Sequence, residues 1–215
     1  WRTGRPAFCQ GVAVVQDEAG HGLYVDRYGR PTLKLPGGPI KLGSFAGDLE
    51  AFHGGLAAFG VPAPGEEGFG AELHYGYVTR SGRVVVPPTY RGAGPFSEGL
   101  APVSKDASYQ DDPDPMYAAS PEGGEAWGYI DGAGKVVIPF GFSRAGIFVN
   151  GLARARQSGK WGYIDRTGAW AIRPRFDWAW DFDDGIAKVW RNDRVSFIDR
   201  SGRVIVETNV RAVTY

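Results

Sequence analysis

Four carboxylates, Asp177, Asp181, Asp183 and Asp184, fall within eight residues of one another, interleaved with Trp178 and Trp180 and flanked by Trp170 and Trp190. Two chemistries suit that mixture. A carboxylate pair about 5 Å or about 6.5–9.5 Å apart can serve as acid and nucleophile, or acid and base, on a glycosidic bond. Clustered indoles with charged neighbours instead make a recognition face for a peptide, a glycan or a cation. Sequence supplies no distance between the carboxylates and marks no nucleophile turn. The reading taken is therefore a non-catalytic binding or scaffolding module, with a glycan-active hydrolase as the alternative.

The other polar candidates have simpler explanations. Asp26, Asp131, Asp165 and Asp199 each precede a glycine by three residues, at Gly29, Gly134, Gly168 and Gly202. An aspartate so placed accepts a hydrogen bond from the backbone N–H two residues on, and the glycine takes the left-handed position of a hairpin loop. Thr79 before Gly82 is a weaker version of the same turn. The histidines, His21, His53 and His74, have no zinc spacing, and Cys9 is the only cysteine, so neither a metal site nor an intrachain disulfide is expected. A single thiol does not decide the compartment. The acidic run from Asp106 to Asp114 lacks the regular ligand spacing and glycine of a calcium loop and reads as a solvated insertion. Glycine clusters such as Gly68-Phe69-Gly70 lack the strand–loop–helix setting of a phosphate cradle. No catalytic residue and no cofactor is expected.

Bulk properties narrow the partners. The 215 residues carry 24 basic and 24 acidic side chains. A neutral chain has no electrostatic footprint for nucleic acid, whose affinity rests on phosphate contacts. A protein, a peptide or a neutral glycan fits better. No apolar run approaches the roughly 20 residues of a membrane span. The chain opens on Trp1 without a methionine or an apolar signal-like segment, as a processed chain or a fragment would. Its 33 glycines and 15 prolines point to many turns between short strands.

Those turns recur. A Phe-x-x-Gly-aliphatic-Ala box begins at Phe8, Phe52, Phe96, Phe148 and Phe182. It alternates strictly with a second signal, aromatic-Gly-Tyr-Ile-Asp-x-x-Gly followed by an aliphatic run. That signal is clear at Tyr75–Val86, Trp127–Ile138 and Trp161–Ile172 and weaker at Gly22–Leu33 and Val195–Val206. The glycines Gly134, Gly168 and Gly202 are 34 residues apart. Wider spacings earlier in the chain come from insertions near Leu35–Ser44, Gly60–Glu72 and Ser104–Glu125. The alternation predicts five units of about three strands, near 8–51, 52–95, 96–147, 148–181 and 182–207, in one domain over 1–215. The runs are too short, too aromatic and too β-branched for helices.

The Trp-Gly-Tyr-Ile-Asp motifs at Trp127 and Trp161, the Tyr75-Gly76-Tyr77-Val78 copy and the upstream Phe-x-x-Gly boxes resemble the bacterial WG-repeat family from Phe8 to Glu207. Gly22-Leu23 and Val195-Ser196 depart from it, standing where Trp-Gly is expected. The resemblance implies an all-β repeat protein and supplies no catalytic residues. Stacked units form a curved, solenoid-like array with antiparallel strands, the alternative being a closed propeller-like ring. Trp127 and Trp161 are expected to anchor units to one another, and the glycine after each to allow a close approach.

The surplus tryptophans of the fourth unit fall outside that frame. Trp170 takes the place of Val136 and Val84, Trp178 that of Arg144 and Gly92, and Trp180 that of Gly146 and Gly94. Positions that accept glycine or arginine elsewhere are poor core positions. Either the indoles plug an irregular junction, or they form a partner-binding face of Trp178, Trp180 and Trp190 with Trp170, Asp177 and Asp181.

Overall fold

The computed structural model describes residues 12–16, 21–39, 52–63, 65, 72–105 and 126–211, and every strand pairing among them is antiparallel. The acidic run 106–114 and most of the Gly60–Glu72 insertion lie outside them. The first sheet contains β1 (Val12–Gln16), β2 (His21–Asp26) and β3 (Pro31–Pro39), and the second β4 (Leu56–Pro62), β5 (Leu73–Thr79) and β6 (Val84–Tyr90). The third contains β7 (Gly92–Ala93), β8 (Leu100–Ser104), β9 (Trp127–Asp131) and β10 (Val136–Phe142). The fourth contains β11 (Arg144–Ala145), β12 (Leu152–Gln157), β13 (Lys160–Asp165) and β14 (Trp170–Phe176), and the fifth β15 (Trp178–Ala179), β16 (Ile186–Arg191), β17 (Arg194–Asp199) and β18 (Val204–Arg211).

The protein is all-β, and no sheet closes on itself. No helix among the described residues is long and apolar enough to cross a membrane. Three sheets carry one strand more than the expected three, because β7, β11 and β15 pair with the strand after the Phe-x-x-Gly box. Each of these sheets therefore starts ahead of its box. Gly60–Pro62 and Leu35–Pro39, read as insertions, continue strands β4 and β3.

Two of the hairpin turns of a unit are fixed locally. In the box turns, Glu98-Gly99, Asn150-Gly151 and Asp184-Gly185 have φ of 51° and 81°, 51° and 79°, and 47° and 78°. Two consecutive left-handed residues make the tight turn whose twist matches the flanking strands. In the other turn, Asp131 Oδ1 accepts from the amides of Ala133 and Lys135, each at 2.9 Å, and Asp199 Oδ1 from Ser201 and Arg203, each at 3.0 Å. Asp26 and Asp165 repeat the arrangement. Thr79 makes only the longer-range half, from the Arg83 amide at 3.2 Å. The Ser201 hydroxyl, with the Arg203 and Ser201 amides, holds the Asp199 carboxyl down to about 2.

The core lies between sheets. Tyr77 and Val86 pack on Phe96 and Ile130, Tyr129 and Ile138 on Phe148 and Ile164, and Tyr163 and Ile172 on Phe182 and Ile198. Each tyrosine meets the box phenylalanine of the next unit, with ring centroids 4.9, 5.0 and 4.6 Å apart. Its hydroxyl donates to a backbone carbonyl of that unit: Tyr77 to Gly94 at 2.8 Å, Tyr129 to Gly146 at 2.8 Å, and Tyr163 to Trp180 at 2.7 Å. A buried phenol needs that acceptor, and burial pushes all three phenols well above their usual range. The two repeated sequence signals are thus the two halves of one junction. Among the described residues, every extensive contact between sheets joins neighbours in the chain.

The Trp-Gly glycine answers to the strand beside it. A Cβ on Gly162 would stand 2.4 Å from the Ile172 carbonyl oxygen and 2.7 Å from Pro174 N, and one on Gly76 would stand 2.3 Å from the Val86 carbonyl oxygen. The close approach is backbone, at the register shift between Trp161 and Tyr163 where the third strand bulges.

Candidate functional site

The fourth and fifth sheets meet where the surplus tryptophans lie. Trp178, at the start of β15, is opposite Trp190 of β16. Its ring meets Trp161 edge-on, with centroids 5.2 Å apart, and reaches Trp180 at 6.1 Å. Both rings of the Trp161–Trp178 pair lie beside the guanidinium of Arg154, at 5.4 and 5.9 Å. Lys188 Nζ stands 4.4 Å from the Trp180 ring centre. These cations face the ring quadrupoles, which favours the arrangement beyond simple burial.

The four surplus indoles are neither core nor free surface. Trp161 is buried, while Trp170, Trp178, Trp180 and Trp190 are half-buried. The indole nitrogens of Trp178 and Trp190 are enclosed and reach no hydrogen-bond acceptor within the protein. Trp170 belongs to a different junction. It packs edge-on against Phe142, with centroids 5.6 Å apart and planes at 89°, between the third and fourth sheets.

The acids are held apart by different partners. Asp181 pairs with Arg154 Nε at 3.1 Å, and that arginine also donates to the Ala179 carbonyl at 2.9 Å. Asp177 pairs with Lys160 and accepts from the Asn192 amide at 2.7 Å, which ties the start of β15 to the β16–β17 turn. Burial alone would raise the Asp177 carboxyl, yet the hydrogen bonds from Lys160 and Asn192 and the charge of Lys160 hold it below its usual value. Asp183 and Asp184 form the box turn, where Asp183 exchanges backbone bonds with Ile186 and Asp184 is the left-handed residue.

Of the residues singled out in the sequence, Trp178, Trp180 and Asp181 are brought to one junction, and Trp190 stands opposite Trp178 on the neighbouring strand. Trp170 is placed at another, and Asp177 serves as a strand tie. The cations Arg154, Lys160 and Lys188 were not foreseen. A faint signal exists for two of them: Arg154 and Lys188, 34 residues apart, occupy the same position in successive units.

Beside this cluster, on the side where β14 faces β16 and β17, a groove of about 680 Å³ is lined by Arg175, Phe176, Val189, Arg191, Arg194 and Glu207, among others. Phe176 and Val189 form its apolar wall and belong to the same core as Trp178. Arg175 donates to the Gly202 carbonyl at 2.6 Å, and Arg194 is 3.5 Å from Glu207. Among the described residues no group of three histidine, cysteine or carboxylate side chains is placed to hold a metal ion.

Comparison with solved structures gives weak overall likenesses. BamB from Moraxella catarrhalis is 12% identical, with a TM-score of 0.45 over 95% of this chain and 60% of that one. A protein of unknown function from Bacteroides caccae is 10% identical, with a TM-score of 0.33 over 94% of this chain and 78% of that one. PorZ, a surface component of the type-IX secretion system of Porphyromonas gingivalis, is 13% identical, with a TM-score of 0.37 over 93% of this chain and 26% of that one. No curated protein sequence matches the chain. The model of the WG containing repeat matches residues 75–109, 127–161 and 161–193. Those are the stretches whose tyrosine, phenylalanine and turn glycine build the junctions, and the chain belongs to the WG-repeat family.

Proposed function

We propose that the chain is a non-catalytic binding module, and that it holds an acidic segment of a partner protein or peptide at the junction of its last two sheets. The observation that carries this reading is the groove lined by three guanidinium groups and one carboxylate over an apolar wall. Its size lies within the roughly 300–1,000 Å³ of ordinary ligand sites. Arginine forks match carboxylates two bonds at a time. Arg175 and Arg194, each already engaged once, keep further donors free among their five. Trp178 packs on the core that holds the groove's apolar wall and supplies a fluorescence signal. The four acids of the same region support a non-catalytic role, since each is engaged in an ion pair or a turn.

A glutamate-rich peptide titrated against the protein's tryptophan fluorescence tests the reading, with a neutral peptide and a neutral glycan as comparisons. The acidic peptide is expected to bind, more weakly as salt rises. An Arg191→Ala, Arg194→Ala double variant should weaken it by about 10-fold or more, from a loss of about 1.5–3 kcal/mol per charged hydrogen bond. Preference for the neutral glycan overturns the choice of ligand. Glycan hydrolysis abolished by Asp181→Asn overturns the non-catalytic reading.

A further inference from the structure

Three of the junctions seat a turn glycine on one aliphatic side chain of the preceding unit. A Cβ on Gly134 would stand 2.9 Å from Val86 Cγ2, one on Gly168 2.7 Å from Ile138 Cγ2, and one on Gly202 3.1 Å from Ile172 Cγ2. Under that cover Val86, Ile138 and Ile172 are 4%, 2% and 3% exposed. The fourth member of the series, Val206, is 50% exposed. At the other end of the array, nothing among the described residues lies within 4 Å of where a Cβ on Gly29 would stand, and Tyr28 beside it is 66% exposed. Among the described residues, the last unit therefore presents a seat without a glycine, and the first a glycine without a seat.

The rest of the terminal face follows the same pattern. Lys188, Phe197 and Val206 are in register and share a face, as Arg154, Tyr163 and Ile172 do 34 residues earlier. Tyr163 and Ile172 are buried by the fifth sheet, whereas Phe197 is half-buried and Ile186, the counterpart of Leu152, is exposed. The face keeps its apolar character but loses the hydroxyl. A tyrosine here would need a carbonyl each time the face was covered. A phenylalanine can pass between water and a covered state without stranding a donor.

We propose that this face docks the first unit of a second copy of the chain, head to tail, with Gly29 of one copy seated on Val206 of the other. The contact is heterologous, so it adds copies in series unless their rotation closes a ring. The occupant is chosen because three internal junctions define what fits on the seat, and Gly29 is such a turn with no cover among the described residues.

Sedimentation velocity over a wide concentration range tests it. A series of oligomers that grows with concentration is expected. Val206→Glu and Val206→Arg should each weaken association at least 10-fold, while Val137→Glu, at a similarly exposed valine of edge strand β10, should leave it unchanged. Thermal melts of all three variants confirm that each is folded. In a Cys9→Ser background, Tyr28→Cys combined with Val206→Cys and a short bismaleimide linker should give a ladder of dimers and higher species. A single monomeric mass at all concentrations overturns the proposal. So does association indifferent to both Val206 variants, or a cross-link confined to one chain, which would make the occupant the chain's own first unit.

Discussion

Gly162 and Ser196 occupy equivalent positions in successive units, and their difference explains the glycine. Pro174 follows Ile172 by two residues, and the strand bulges onto Gly162. No proline follows Val206 at that point, and Ser196 pairs directly with Glu207. The glycine is thus required by the proline-bearing third strand and not by the indole before it. Gly162→Ala is expected to destabilise the protein by about 1–3 kcal/mol, the usual cost of forcing atoms into a filled space. Urea denaturation of the variant reads this directly. Ser196→Ala should fall within about 0.5 kcal/mol of the parent.

At the scale of the element, the Asp-x-x-Gly turn links folding to pH. The Asp199 carboxyl has an ordinary value of 3.8, lowered to about 2 in the folded chain. Between those values the unfolded chain binds the proton more readily. The turn's contribution is therefore complete above about pH 4 and is lost as pH falls toward 2. Asp199→Ala should lower the melting temperature at pH 7 and make little difference at pH 2. A constant difference across that range would mean that the carboxylate's charge plays no part. This element was legible in the sequence because its chemistry is confined to five consecutive residues. The two-residue strands β7, β11 and β15 were not. Gly92-Ala93, Arg144-Ala145 and Trp178-Ala179 share only the alanine, and pairing with a distant strand decides their conformation. The same gap explains the tryptophans. Arginine and glycine at the equivalent positions argue against a core residue, yet the larger Trp178 reaches the ring of Trp161 and packs on the junction. The groove arginines were hidden for a further reason. Arg175 and Arg191 come from different units, and no periodicity in the sequence brings them together.

Across the whole molecule, stability accumulates at the three described junctions instead of within the sheets. A quasi-one-dimensional array behaves as a sum of units and neighbour interfaces. Equivalent residues should then differ in effect according to whether a neighbour covers them. Ile172→Ala empties a filled junction and should cost about 2–5 kcal/mol. Val206→Ala removes similar atoms from an open face and should cost less than about 0.5 kcal/mol in dilute protein. Equal losses at the two positions, measured by chemical denaturation, would show that the terminal face is already covered. The bond from each tyrosine to the following unit also gives the array a direction. The hydroxyls of Tyr77, Tyr129 and Tyr163 all point toward the C-terminal neighbour. During synthesis from the ribosome, every such unit emerges with a hydroxyl that water holds until the next unit buries it and supplies the carbonyl. Phe197, at the same position in the fifth sheet, carries no such donor and leaves that sheet without the requirement.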